Sequence, residues 1–217
     1  LPAFDVSNYD MMKAVLEACE EEKSPALLMA LGVDLQGRDM NLLASMVRSA
    51  SDYFNIPVCL HLDHATDFSL IKRAIDAGFS SVMYDGSVLD FDNNAKNTAE
   101  VVAYAHGHGI TVEAELGHVG NGSVGSISET GTDTDPGESL TVPEEVAKFV
   151  EITDVDALAV AIGTAHGVYQ KTPELRIDRL EEITGGTVIV DGYDITDKKV
   201  DINIHRQKMG MVFQHFN

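Results

Sequence analysis

The sequence is poor in cysteine, in basic residues and in long apolar runs. Two cysteines among 217 residues do not make a disulfide framework, and Cys59 lies in an apolar stretch typical of a small buried thiol, which favours a reducing cytoplasm. Fifteen basic residues against 35 acidic ones leave no basic footprint for nucleic acid. No apolar run approaches the ~20 residues of a membrane helix, and no signal-peptide pattern opens the chain. We therefore expect a cytoplasmic protein with neither nucleic acid nor membrane as partner.

The charge balance also constrains any small-molecule ligand. A net charge of -20 means that an anionic substrate needs local help from a metal ion or from helix N-termini. The hydrophobic fraction of 44% is that of a globular protein, and the chain is long enough for one sizeable core.

Strand and helix patterns alternate along the chain. Short apolar runs predict strands over residues 1–4, 25–30, 58–63, 80–84, 110–116 and 157–162. Helical spacing predicts helices over residues 11–22, 41–54, 68–77, 93–106, 144–152 and 177–183. Strict alternation indicates a parallel sheet covered by helices, and both a doubly wound sheet and a (β/α)₈ barrel fit it. Because a complete barrel takes ~250 residues, we predict a barrel truncated to about six units.

Several consecutive strands end in an acid or a histidine followed by small residues. The residues at these ends are His61, Asp63, His64, Asp85, Glu115 and His166. The carboxyl ends of parallel strands meet on one rim, where a barrel builds its site, and this clustering favours the barrel over the doubly wound sheet. The alternative for the first of these ends is that Asp63 caps a helix and His64 is a satisfied loop histidine.

Four segments resemble the class II, metal-dependent ketose-bisphosphate aldolases. They read HLDH at 61–64, VMYDGS at 82–87, EAELG at 113–117 and AIGTAHG at 161–167, and PAFDVSN at 2–8 is similar to the end of that family's first strand. The resemblance covers residues 1–183. It implies a (β/α)₈ barrel, assembled as a homodimer or homotetramer, that splits fructose or tagatose 1,6-bisphosphate into dihydroxyacetone phosphate and glyceraldehyde 3-phosphate.

The resemblance also implies roles for individual residues. His64 and His166 match two of three zinc-ligating histidines, while Asp85 and Glu115 match acids that orient the metal or serve a second cation. Asp63 matches the acid–base at the cleaved bond.

Three further positions belong to the same resemblance. Gly167 matches a position near the substrate phosphate. Asp5 is a substrate-contact position where the family often has Asn, and an acid there repels phosphate. Glu129, in the long polar segment 117–140, is the candidate for the carbon-bound proton. His61 is expected to be structural, and one of Glu113 and Glu115 to lie behind the metal ligands.

The C-terminal segment departs from this pattern. The family's third histidine and its phosphate-binding loop are not found, and residues 185–217 resemble a fragment of the ATP-binding subunit of a polar-amino-acid ABC transporter, with Gln214 as the Q-loop glutamine. That fragment lacks the Gly-rich loop that cradles phosphates. We therefore predict two segments, a partial aldolase barrel over 1–183 and a foreign β-rich piece over 184–217. The alternatives to an active aldolase are an ATP-binding module and an inactive chimera, and we expect little turnover from this chain.

Overall fold

The computed structural model of the protein describes residues 2–121, 140–166, 175–183, 189–190 and 193–194. The chain forms two compact units, the first made of residues 1–116 and 149–159 and the second of residues 117–148 and 160–217. Strands and helices alternate from the start of the first unit. They are β1 (Ala3–Asp5), α1 (Tyr9–Glu21), β2 (Ala26–Leu31), α2 (Asp39–Ser51), β3 (Val58–Ala65), α3 (Phe68–Ala77), β4 (Ser81–Tyr84), α4 (Phe91–His106) and β5 (Thr111–Leu116).

The remaining elements are shorter. They are β6 (Gly120–Asn121), α5 (Pro143–Thr153), β7 (Ala157–Val160), β8 (Ala165–His166), α6 (Ile177–Ile183), β9 (Ile189–Val190) and β10 (Tyr193–Asp194), and a 3₁₀ turn, Gly32–Asp34, follows β2. In the second unit β6 pairs with β8 in parallel, which puts Asn121 opposite His166, and β9 pairs with β10 antiparallel. No helix of the described residues combines the length and the apolarity that a bilayer crossing demands.

The main sheet has six strands in the order β1-β2-β3-β4-β5-β7. Every neighbouring pair from β1 to β5 is parallel. A doubly wound sheet reverses its strand order at a switch point, whereas this order follows the chain without reversal. The predicted fold, a (β/α)₈ barrel truncated to about six units, is confirmed, and the doubly wound alternative is wrong.

The core lies between the sheet and its helices. α1 buries Met12, Leu16 and Cys19, and Phe79, which follows α3, is fully buried. Capping residues fix where two of the helices begin and end. Asn8 caps α1, and α3 starts after Asp67 and stops at Gly78, whose φ of 100° is in the left-handed region that glycine adopts without strain.

Asn8→Ala is expected to lower the free energy of unfolding by about 1 kcal/mol, because the Asn8 side chain accepts a hydrogen bond of 3.0 Å from the Met11 amide at the start of α1. Urea denaturation measures the change. Ser7→Ala is the control, since its hydroxyl makes only a 3.5 Å contact with the Met11 sulfur, and it should stay within about 0.5 kcal/mol of the parent. Equal values for the two variants would contradict the capping role.

Most predicted boundaries differ from the structure by one to three residues, and two of these differences are instructive. The strand predicted to end at Asp63 continues to Ala65 as β3, since Ala65 still pairs with Tyr84 of β4 after a register shift that follows Leu62. The helix predicted over 41–54 runs instead from Asp39 to Ser51. Phe54 carries on the apolar pattern but packs against the core from the loop after the helix. The helices predicted over 68–77 and 177–183 are confirmed as α3 and α6.

Candidate metal centre

His64 has an unusual backbone at the carboxyl end of β3. Its φ is 45°, in the left-handed region that costs a non-glycine residue roughly 1–2 kcal/mol. Adjacent side chains of a regular strand point to opposite faces, and this left-handed residue interrupts that alternation at the register shift with β4. Strain of this kind concentrates at functional sites, so the backbone conformation marks His64 as a candidate functional residue.

Three side chains converge at this end of the sheet. His64 Nδ1 lies 3.1 Å from Asp85 Oδ2 and 3.9 Å from Glu115 Oε2. Ligand atoms of the three residues all lie within 4.8 Å of one another. Asp85 follows β4 directly and Glu115 belongs to β5, so three adjacent parallel strands supply one residue each. The sequence prediction that these strand ends meet is therefore confirmed for His64, Asp85 and Glu115.

The donor set fits a divalent cation. One imidazole nitrogen and two carboxylate oxygens are ligands that zinc accepts in proteins, and the carboxylates also suit harder cations such as Mg²⁺ or Mn²⁺. The carboxylates of Asp85 and Glu115 are buried, with 6% and 2% of their side-chain surface exposed. The Ser87 amide donates to the second oxygen of Asp85 at 3.0 Å, which orients that carboxylate as metal ligands are oriented by their neighbours.

The His64–Asp85 pair is ionised in the metal-free chain. Burial lowers the pKa of His64, but the hydrogen bond to Asp85 and the negative charges of Asp63, Asp85 and Glu115 outweigh it and raise the pKa to about 9. Burial raises the pKa of Asp85, but hydrogen bonds from His64 and Ser87 outweigh it and hold the pKa at about 2. An imidazolium therefore occupies the position between the carboxylates at neutral pH.

Asp63 and His61 lie next to this group on β3, and both are buried. Burial is the main cause that raises the pKa of Asp63 to about 6. The His64 charge works against the shift, and the acids Asp5 and Glu113 add to it. A carboxyl group with this pKa exchanges its proton readily near neutral pH.

Within the part of the chain that the structure describes, His61 is held by a hydrogen bond on one side of its ring only. Its Nδ1 is 2.8 Å from the Ser81 hydroxyl, and its Nε2 is 3.6 Å from Glu113 Oε2. Burial, aided by the His64 charge, lowers the pKa of His61 to about 4, so the ring is neutral at pH 7. The buried Nε2 has no hydrogen-bond partner among the described residues. The expected structural role of His61 stays a prediction. Glu113, whose pKa is raised by burial, faces His61 and is not one of the three grouped residues.

The other predicted site residues are distributed as follows. Asp5 ends β1 and is close enough to Asp63 to affect its pKa. His166 belongs to β8 in the second unit, and its role stays a prediction. Glu129, Gly167 and Gln214 lie outside the residues that the structure describes.

Sequence reasoning did not single out two residues that contact the site. Ser81 was assigned only to a strand, yet it holds the His61 ring. Asn94 was assigned only to a helix, yet its side chain donates to the backbone carbonyl of Glu115. A signal for Asn94 exists in the sequence: Asn94 and Thr98 occupy the same helical stripe as the buried Val101 and Ala105. Polar residues on a core-facing stripe need partners inside the protein.

This chain matches an aldolase family model, an aldolase relative and solved aldolase structures. The family model "Fructose-bisphosphate aldolase class-II" matches residues 1–202. A fructose-bisphosphate aldolase of Giardia intestinalis is 41% identical over 212 residues, which are 94% of this chain and 63% of the relative. The solved structure of the YdjI aldolase from Escherichia coli K12 superposes with a TM-score of 0.70 at 33% identity, over 83% of this chain and 61% of that one.

A second solved structure agrees. A Coccidioides immitis protein assigned as a fructose-1,6-bisphosphate aldolase gives a TM-score of 0.75 at 36% identity, over 84% of this chain and 63% of that one. The chain thus spans less than two-thirds of the length of each of these relatives.

The family match also bears on the C-terminal segment. It runs past residue 183 to residue 202 and so includes residues that we predicted to lie outside the aldolase part. The resemblance of residues 185–217 to a transporter ATPase stays a prediction. Over most of its length, the sequence, the strand order and the relatives agree: the chain belongs to the class II fructose-bisphosphate aldolase family.

Proposed function

We propose that the protein is a metal-dependent aldolase that cleaves a ketose bisphosphate, fructose or tagatose 1,6-bisphosphate, into dihydroxyacetone phosphate and glyceraldehyde 3-phosphate, and catalyses the reverse condensation. The observation that carries the proposal is the group of His64, Asp85 and Glu115, within 4.8 Å of one another, beside the buried Asp63. Family membership supports it. The chain spans 63% of the Giardia relative, so the activity and the substrate are part of the proposal.

The metal in this proposal is Zn²⁺. His64 and His166 are its histidine ligands, and Asp85 and Glu115 orient it or hold a second cation. When bound, Zn²⁺ supplies Lewis acidity toward the oxygens of the substrate at the cleaved bond. His64 must be neutral to serve as a ligand, so the proton that it shares with Asp85 leaves when the metal enters.

Asp63 is proposed as the acid–base group. It directly precedes His64, so the residue that holds the metal also fixes the position of the carboxyl group. In the cleavage direction Asp63 accepts the proton of the hydroxyl whose carbon–carbon bond breaks, and it returns that proton in the condensation. Its pKa of about 6 places both protonation states within reach at neutral pH.

The remaining roles rest on the resemblance alone. Glu129 is proposed to move the carbon-bound proton, and Asp5 and Gly167 to contact the substrate. The carboxylate of Asp5 repels phosphate, so it suits a hydroxyl of the sugar. We further propose a cytoplasmic homodimer or homotetramer. The division into an aldolase part over 1–183 and a foreign part over 184–217 also stays a proposal.

Two measurements on the purified chain test the proposal. Metal analysis should find about one zinc per chain. The low rate of dihydroxyacetone phosphate release that we expect from this chain with either bisphosphate, followed by a coupled assay, should fall to background when a chelator is added. A chain without zinc would contradict the metal assignment. Zinc without any cleavage would favour the inactive alternative, which the sequence also allows.

Asp63→Asn is expected to keep zinc and to slow cleavage by about 10²- to 10⁴-fold, because the amide can no longer accept the hydroxyl proton. The rate of dihydroxyacetone phosphate release at saturating substrate measures the loss. Asp76→Asn is the matched control: this acid is exposed on α3, and its variant should keep the parent rate. Unchanged turnover in Asp63→Asn would remove Asp63 from the mechanism.

A further inference from the structure

Asn94 is a buried amide at the start of α4 that contacts the strand carrying Glu115. It is 2% exposed. Its Nδ2 donates a 2.9 Å hydrogen bond to the backbone carbonyl of Glu115, and its Oδ1 accepts a 3.2 Å hydrogen bond from the Thr98 hydroxyl one helical turn further on. Thr98 is itself fully buried. A buried chain of two hydrogen bonds therefore ties α4 to the backbone of one carboxylate in the candidate metal centre.

The same amide also packs against the strand end that carries the second carboxylate. A Cβ added at Gly86 would lie 2.2 Å from Asn94 Oδ1 and 2.9 Å from its Cγ, distances at which one of the two groups must move. Gly86 directly follows Asp85 in the chain. The glycine thus leaves the space that the Asn94 side chain occupies, so the amide packs beside Gly86 as well as against the backbone of Glu115.

We infer that Asn94 is a positioning residue for the candidate metal centre. It holds the ends of β4 and β5 at a fixed separation, with the carboxylates of Asp85 and Glu115 both directed at His64. Residues that hydrogen-bond to metal ligands set the geometry of those ligands, and their loss typically costs about 10- to 100-fold in metal affinity. The inference rests on the metal site of the proposed function and adds a residue that touches neither metal nor substrate.

Cobalt titration of the chain tests the inference, with visible absorption as the readout of affinity and geometry. Asn94→Ala should weaken Co²⁺ binding about 10- to 100-fold and change the band shape. Thr98→Val keeps the side-chain shape but leaves Asn94 Oδ1 without this donor, and it should produce a smaller change in the same direction.

Thr153→Val is the matched control. Thr153 is a buried threonine whose hydroxyl donates 2.8 Å to the Phe149 carbonyl within α5, so its variant loses a comparable hydrogen bond away from the metal centre. It should leave both the affinity and the spectrum unchanged. Equal Co²⁺ affinity in Asn94→Ala and Thr153→Val would overturn the inference.

The contact with Gly86 gives a second, independent prediction. Gly86→Ala should weaken Co²⁺ binding, because the new methyl group meets the Asn94 amide at the shortest distance, 2.2 Å, and the Tyr84 ring at 2.9 Å. The double variant Gly86→Ala/Asn94→Ala should lose less affinity than the sum of the two single losses, because the added methyl group no longer has an Asn94 amide to displace. Losses that simply add would show that the two positions do not act on one another, and the inference would fail.

A metal-free measurement separates this inference from the proposed function. In the chelator-treated chain, the ring-proton resonances of His64 report the carboxylates beside it. Asn94→Ala should shift them, and Thr153→Val should not. If the parent chain binds no Co²⁺, the metal proposal fails while these resonances still decide the role of Asn94. If they stay in place in Asn94→Ala, the inference is wrong.

Discussion

Replacing His64 by asparagine is expected to cost the chain its zinc and about 3 kcal/mol of stability. The imidazole is one of three groups that could hold a metal ion and a ligand in the proposed function, and loss of a partner that only supports a ligand already costs about 10- to 100-fold in metal affinity. We therefore expect a fall of at least about 100-fold. Asparagine is the informative replacement, because it tolerates the left-handed backbone at this position (φ 45°) better than most residues. The loss then reports the imidazole rather than the backbone.

The stability change has a separate origin. In the metal-free chain the imidazolium of His64 lies between the buried carboxylates of Asp85 and Glu115. Removing one partner of a buried ion pair costs about 3–5 kcal/mol because the other charge stays desolvated. Protonation of the carboxylates relieves part of that cost, so the low end of the range is expected. Urea denaturation at pH 7 with a chelator measures stability, and calorimetric titration with zinc measures affinity.

His106→Asn is the matched control. His106 also pairs with an aspartate, Asp156, at 2.9 Å, but both side chains are more than one-third exposed. Exposed pairs contribute about 0–1 kcal/mol. The control should therefore change stability little and leave zinc affinity at the parent value. If the two variants lose stability equally and both bind zinc, His64 has no special role.

The position of His64 could be predicted from the sequence, but its backbone conformation could not. The HLDH segment follows an apolar run, and parallel strands bring their carboxyl ends to one edge. The meeting of His64, Asp85 and Glu115 could therefore be predicted. The left-handed backbone of His64 could not, because it depends on a register shift between β3 and β4, which is a property of two strands.

Helix boundaries also could be predicted where the signal is local and were missed where it depends on another part of the fold. The bounds of α3 were predicted to the residue because Asp67 and Gly78 cap it locally. The end of α2 was missed because the apolar pattern continues into Phe54, which reaches the core from a loop. The role of Asn94 could not be predicted either. Its partner Glu115 comes from another element, so only the folded chain reveals the contact.

Zinc affinity is expected to rise about 50-fold between pH 7 and pH 9. The pKa of His64 is raised to about 9, from an ordinary value of 6.5, so the residue is almost fully protonated at pH 7 and half protonated at pH 9. Zinc requires the neutral imidazole. Below the pKa, each unit of pH costs the metal a factor of about 10 in apparent affinity, which corresponds to about 1.4 kcal/mol. Above pH 9 the dependence should level off.

The metal-free chain should show the opposite trend. A folded-state pKa raised above the unfolded value means that His64 contributes stability fully below pH 6.5 and loses that contribution as pH rises through 9. Protonated His64 and bound zinc therefore stabilise the same group of carboxylates in different pH ranges. Competition titrations against a chelator from pH 6.5 to 9 measure the affinity, and zinc binding in weak buffer at pH 7 should release about one proton.

Asp85→Asn tests whether the Asp85 carboxylate, by raising the pKa of His64, causes the pH dependence of zinc affinity. The Asp85 carboxylate is the strongest single cause that raises the pKa of His64, and the amide cannot replace its charge. The pKa of His64 should then move down towards 6.5, so the zinc affinity of this variant, although weaker overall, should level off nearer neutral pH. Its proton release at pH 7 should be smaller than that of the parent.

His61, with a pKa of about 4, is neutral over the whole range and does not contribute to the pH dependence of zinc affinity. An affinity that is flat between pH 7 and 9 in the parent would show that zinc does not displace a proton from His64, and the ligand assignment would fall with it.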